Sequence, residues 1–431
     1  MDKSPPLTRA DLRNYAPASN LQLNEEIKRM ISEGKNIYHF GFGQSPFPVM
    51  KEFCQKLSQY AGANQYLAVT GIEQLRNAIA SFHKRYDGLD FSADQIIVAP
   101  GSKELLFLTM LVMDADIIVP SPTWTTYLPQ SKLAGRKSII LSSRFEDEWR
   151  LTPEILDKAI SEQCTNANKV LIFCNPDNPT GTSYTEQQLT ELSKVLRKHS
   201  VIVLSDEIYG RTNYKNAHLS IAKFYKEGTI LMSGLSKWAS LGGWRVGYAI
   251  YPKELAEVQS AVRSAGSHTY SCTSAPIQYA VADVLQNFEA CDTYIYHIKR
   301  ILEAVSKYCY EQLTSVGVKC IQSTGGFYML PDFEVIRPGL EKNNITTCQE
   351  MCEDLFQKRS VVVMAGGPAF LRPLKELTVR LCYIDFDGTL ALNESINIGP
   401  DKPLTREFVE QFCSHQAEGI KAIVDWVKSY L

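Results

Sequence analysis

Lys237 lies in the segment Ser233-Gly234-Leu235-Ser236-Lys237-Trp238-Ala239-Ser240-Leu241-Gly242-Gly243-Trp244-Arg245. It follows a short apolar run, Thr229 to Met232, that reads as a buried strand. An amine just past a strand end, among small residues, loses hydration. Its pKa falls and it becomes a nucleophile toward a carbonyl. Arg245, a little further on, offers a planar fork for a phosphate. A reactive lysine beside a phosphate anchor points to a Schiff base with pyridoxal phosphate. A surface loop lysine would look the same in isolation, so the reading needs partners elsewhere in the chain.

Three further features follow apolar runs. Pro100-Gly101-Ser102-Lys103 comes after Ile96 to Ala99 and opens a helical stretch. The free N–H groups of Ser102 and Lys103 would face an anion there. Taken alone, an ordinary strand-to-helix turn with Ser102 as N-cap is the better reading. Asn175-Pro176-Asp177-Asn178-Pro179-Thr180-Gly181 comes after Lys169 to Cys174. It is a rigid turn, and it can aim the Asn178 amide at a ligand. Ser205-Asp206-Glu207-Ile208-Tyr209 comes after Val201 to Leu204. An ionised Asp206 needs a cation, and a pyridinium nitrogen is one. Tyr209 can donate to the phenolate oxygen of the same ring. The alternative is an acidic first turn of a helix, favoured by the helix dipole.

These residues need a scaffold that brings strand ends together. Runs at Gln95 to Ala99, Ala115 to Pro120, Ser138 to Ser142, Lys169 to Cys174, Ser200 to Ser205, Thr229 to Ser233 and Val246 to Ile250 read as strands. Helical stretches at Lys103 to Val112, Thr152 to Ser161 and Thr185 to His199 lie between several of them. Short, continuous, Val- and Ile-rich runs are typical of strands covered on both faces, so the fold class is α/β with a mostly parallel sheet sandwiched by helices. In such sheets ligands collect beyond the carboxyl ends of the strands. A smaller α+β domain is expected at the C-terminal end. Its helices are Thr293 to Val316 and Thr347 to Arg359, and its strands are Phe327 to Pro331, Val361 to Met364 and Leu377 to Tyr383. The expected division is an N-terminal arm and part of the small domain over 1–45, a large domain over 46–310 and a small domain over 311–431.

The chain has 431 residues, too many for one core. Its 45% hydrophobic and 21% charged content is that of a globular protein. A formal net charge of −2 gives no reason to expect nucleic acid or an acidic membrane as partner. No run is long enough to span a bilayer. Eleven scattered cysteines argue for a reducing compartment, and with no leader-like N-terminus the expectation is cytoplasmic. No metal-ligand set is apparent.

As a set, Asn178-Pro179-Thr180-Gly181, Asp206-x-x-Tyr209 and Ser236-Lys237 followed by Gly243-x-Arg245-x-Gly247 resemble the class I/II aminotransferase superfamily of fold-type I pyridoxal-phosphate enzymes. The resemblance runs from about Gly41 to Gly388. It implies that Lys237 carries the internal aldimine and shuttles a proton. It also implies that Asp206 pairs with the pyridine nitrogen, and that Asn178 and Tyr209 bond the phenolic oxygen. Trp124 would stack on the ring, while Ser102, Lys103, Ser233 and Arg245 would hold the phosphate. Family members often have Ser three residues before the lysine; here that position is Gly234, so Ser233 or Ser236 must supply the hydroxyl. Arg380 matches the arginine that clamps the substrate carboxylate; read alone it is equally a strand arginine in a surface pair. Gly43 matches a glycine whose backbone approaches substrate. Tyr66 and the loop around Ser271 match segments that reach a neighbouring subunit, which implies a homodimer with shared sites.

The expected function is transfer of an amino group from an amino acid to a 2-oxo acid. The same apparatus serves a C–S lyase, a racemase or a γ-synthase, so motifs alone do not separate these. A nucleotide-binding or regulatory α/β protein is a third reading. Against it, no convincing Gly-x-Gly-x-x-Gly follows the first strand and no Walker lysine motif is present.

Overall fold

The computed structural model describes residues 7–8, 19–215 and 218–431. Much of the expected N-terminal arm, residues 1–6 and 9–18, lies outside the described residues. The first strand is β1 (Tyr38–His39). Seven strands then build the central sheet: β2 (Ile96–Ala99), β3 (Asp116–Ser121), β4 (Ser138–Ser142), β5 (Lys169–Cys174), β6 (Ile202–Asp206), β7 (Thr229–Gly234) and β8 (Gly247–Ile250). Their spatial order is β2-β8-β7-β6-β5-β3-β4. All neighbours are parallel except β8, which runs antiparallel to both β2 and β7.

Side-chain alternation explains why these runs are apolar throughout. On β5, Val170, Ile172 and Cys174 enter one core, while Leu171 and Phe173 enter the other. The second core is closed by Leu156 and Ile160 of the helix Pro153–Gln163 and by Leu189, Leu192 and Leu196 of the helix Glu186–Lys198. Both helices begin where the sequence offers a cap. Thr152 accepts from the Ile155 amide ahead of Pro153, and Thr185 with Gln188 forms a reciprocal capping box. The inner strands are covered on both faces, and only the edge strand β4 turns one face outward, at Ile140.

The C-terminal part is smaller and mixed. Strands β9 (Tyr328–Met329), β10 (Val361–Val362), β11 (Met364–Ala365) and β12 (Val379–Cys382) contribute an antiparallel sheet in the order β11-β12-β9 and a separate parallel pair of β10 with β1. The N-terminal segment is thus hydrogen-bonded to the C-terminal part, at Tyr38↔Val361 and His39↔Val362. The helix Phe288–Thr314 runs continuously through the expected domain junction at 310 and 311.

Candidate active site

Five parallel strands end toward one crevice, and each delivers a side chain there. Asp206 is the last residue of β6. Lys237 follows β7, Asn178 follows β5 and Trp124 follows β3. Ser102 opens the helix Ser102–Val112 directly after β2. The antiparallel β8 begins at the edge where β2 and β7 end, because Gly247 is in register with both Ala99 and Gly234. That reversal is what carries Arg245 to Pro100-Gly101, where its Nη2 donates to the Pro100 carbonyl (3.1 Å). Gly101 has φ +94°, and a Cβ on it would collide with the Arg245 guanidinium. The other wall comes from the small sheet. Arg380 lies on β12, and Gly43 follows β1 after a short link.

Together these residues line a cavity of about 500 Å³. Of the twelve residues singled out from sequence, ten border it: Gly43, Ser102, Lys103, Trp124, Asn178, Asp206, Tyr209, Lys237, Arg245 and Arg380. Two do not. Ser233 is a strand residue whose hydroxyl is turned inward and donates to the Glu207 carbonyl (3.2 Å). Ser236, free of the strand pleat, faces the cavity instead. Tyr66 is 90% exposed and projects from the surface. The Leu67 amide donates to Cys272 Sγ (3.5 Å), so the loops carrying Tyr66 and Ser271 lie side by side.

The charges in the cavity are held in unusual states. Lys237 Nζ donates to the Gly43 carbonyl (2.8 Å). Burial, and then the positive charge of Arg380, push its pKa down to about 8. Asp206 is buried. Tyr127 Oη donates to its Oδ2 (2.7 Å), yet burial still pushes its pKa up to about 6. Lys103 is also shifted down, by burial and then by Arg245, and its Nζ lies 4.9 Å from the centre of the Trp124 ring. Arg380 is only 1% exposed. Its Nη2 donates to the Gly41 carbonyl (2.5 Å) and its Nη1 to Asn178 Oδ1 (3.4 Å), while its Nε has no protein partner. Among the described residues Arg380 forms no ion pair. A desolvated guanidinium without a counter-charge is costly, and an incoming carboxylate removes that cost.

Sequence reading missed two members of the site. Tyr127 fixes Asp206, and its ring meets Trp124 edge-on at 5.3 Å. Its only sequence signal was its place three residues after Trp124. Tyr328 lies over Arg380 (4.9 Å) and its hydroxyl meets that of Tyr209 (3.0 Å). As an aromatic in an apolar strand run, it reads as core.

The model of the aminotransferase class I and II family matches residues 28–387. The chain belongs to that family. An aspartate aminotransferase of Bacillus sp. (strain YM-2) is 28% identical over 382 residues, which is 86% of this chain and 93% of the relative. An aspartate/prephenate aminotransferase of Thermus thermophilus is 30% identical over 329 residues, 75% of this chain and 83% of the relative. The solved structure of aspartate aminotransferase from Thermus thermophilus with maleate superposes with a TM-score of 0.80 at 25% identity. That match covers 91% of this chain and 98% of the other. Aminotransferases of this family use pyridoxal phosphate, and this chain is an aminotransferase of that kind. No helix among the described residues is long and apolar enough to cross a membrane.

Proposed function

We propose that this aminotransferase holds pyridoxal phosphate in the 500 Å³ cavity, anchored by Lys237, and moves nitrogen from an amino acid to a 2-oxo acid. One observation carries the reading: the buried Arg380, without an ion-pair partner among the described residues, borders the same cavity as Lys237 and Asp206. The residues suit the cofactor at each end. Asp206 would be kept anionic by the cation of a ring nitrogen, and Arg245 with the amides of Ser102 and Lys103 would hold a phosphate. Ser236 supplies the hydroxyl first sought at Ser233. Trp124 would cover a ring face, and Asn178 and Tyr209 would hold the phenolic oxygen.

When bound, the cofactor supplies an electron sink for an amino acid losing its α-proton. The chain supplies the rest. Arg380 grips the α-carboxylate by its fork and so fixes the Cα–H bond. Lys237 Nζ, whose pKa burial pushes down to about 8, would be the base that takes that proton and gives it back. A homodimer is part of the proposal, with Tyr66 of one subunit completing the phosphate site of the other. All eleven cysteines are free thiols, which supports a cytoplasmic setting.

The relatives' names, which include aspartate, prephenate and asparagine, set the first donors and acceptors to test. With pyridoxal phosphate and 2-oxoglutarate, the purified protein should form glutamate from at least one amino donor. Arg380→Gln should raise KM for donor and acceptor alike, by about a hundredfold for a lost charged pair of hydrogen bonds. No glutamate from any donor, or KM values untouched by the substitution, contradicts the reading.

A further inference from the structure

Residues 42–48 run as an irregular strap between β1 and the helix Lys51–Tyr60. Phe42 and Gln44 border the active-site cavity and also a second cavity of about 480 Å³, so the strap is the wall between the two. Among the described residues, residues 42–48 make no backbone-to-backbone hydrogen bond. The chain is tied on either side of them. The Phe40 amide donates to the Val362 carbonyl (2.8 Å), and the Phe53 amide to the Met50 carbonyl (3.1 Å). The far end of the strap is packed, because Phe47 is buried and meets the Phe386 ring edge-on at 5.9 Å. The stretch 42–45 has only ties through side chains, and a segment held so sparsely opens at low cost.

Two ties hold that stretch. Lys237 Nζ donates to the Gly43 carbonyl (2.8 Å), and Ser45 Oγ lies 2.7 Å from Ser240 Oγ. Ser240 Oγ is in turn 2.9 Å from Tyr294 Oη, which donates to the Pro48 carbonyl (2.8 Å). The carbonyl fixes the direction of every bond. It can only accept, so the Tyr294 proton goes to Pro48, the Ser240 proton to Tyr294 and the Ser45 proton to Ser240. Three hydroxyls thus supply three bonds in one order, and the chain of bonds begins and ends on the strap. Ser240 stands three residues after Lys237 and holds φ +58°, a conformation that glycine adopts at less cost. A serine there brings a hydroxyl that glycine lacks.

We infer that Ser45 and Ser240 are positioning residues whose hydrogen bond latches the strap shut beside Lys237, and that release of the strap opens a route to that amine. The inference goes beyond the proposed activity and needs only that Lys237 be a reactive amine. Ser45→Ala and Ser240→Ala each remove the latching bond. In protein freed of cofactor, acetic anhydride should then acetylate Lys237 about fivefold faster than in the wild type, with site and rate read by mass spectrometry. The double variant should be no faster than either single one, because the same bond is lost in all three. Ser45→Thr keeps the donor and should react at the wild-type rate. Lys299, buried on the helix Phe288–Thr314 that also carries Tyr294, should be acetylated at one rate in every protein. Lys237 rates that neither alanine variant changes, additive effects in the double variant, failure of Ser45→Thr to keep the slow rate, or a parallel rise at Lys299 each overturn the inference. These rates need no cofactor. A protein that never binds pyridoxal phosphate but shows them overturns the functional reading and upholds the latch.

Discussion

At the residue scale, the site depends on burial acting oppositely on two groups. Lys237 is driven toward the neutral amine, with a pKa pushed down to about 8 from 10.5. Asp206 is driven toward the neutral acid, up to about 6 from 3.8. The Lys237 shift has two consequences in pH. The reactive amine is lost as pH falls below about 8, so the rate at which apoprotein takes up pyridoxal phosphate should rise about tenfold per pH unit up to that point and then level. A stopped-flow series that keeps rising to pH 10.5, the value of an ordinary lysine, would contradict the shift. The same depression makes the protonated lysine a burden on the apoprotein. The unfolded chain binds that proton more tightly, so this group adds stability as pH rises from about 8 to 10.5. The places of Lys237 and Asp206 at the cavity were legible in the sequence because each stands at the end of a recognisable strand run, and that of Arg245 because of its spacing after Lys237. Tyr127 and Tyr328 were not, since their roles exist only through contacts with Asp206, Tyr209 and Arg380, far away in the chain.

At the scale of elements, the position of each strand end matters more than strand length. The runs at 138–142 and 169–174 coincide with β4 and β5; β5 is covered on both faces, while β4, at the sheet edge, buries only Ile139 and Leu141. The run expected as one strand at Val361 to Met364 is divided between β10 and β11, whereas the two-residue β1 is a product of pairing with β10 and no local pattern announces it. The reversal of β8 was likewise invisible, yet it is what brings Arg245 to the start of the helix at Ser102. Gly101 sits at that junction, with φ +94° and no room for a methyl group beside Arg245. Gly101→Ala should therefore displace the guanidinium and weaken cofactor binding by about tenfold or more, with ~1 kcal/mol of backbone cost besides. Equilibrium dialysis checks this; a variant with wild-type affinity would mean that Arg245 does not hold the phosphate.

At the scale of the whole molecule, one chain leaves Tyr66 almost fully exposed while its own cavity is lined without it. A two-fold dimer that shares its sites gives such a residue a task. Light scattering should report a dimer. Mixing inactive Lys237→Ala protein with impaired Tyr66→Ala protein, after subunit exchange, should restore activity beyond the sum of the two parents, since one site in each mixed dimer is intact. A mixture no better than that sum would assign Tyr66 to its own subunit's surface and remove it from the site.

The central claim is that Lys237 is the cofactor's covalent anchor. Borohydride reduction of the protein loaded with pyridoxal phosphate, followed by proteolysis and mass spectrometry, tests it most directly. The account predicts loss of the visible band and a single modified peptide carrying the phosphopyridoxyl group on Lys237, absent from Lys237→Ala protein. Modification of another lysine instead, or a reducible band that survives in Lys237→Ala, would contradict it.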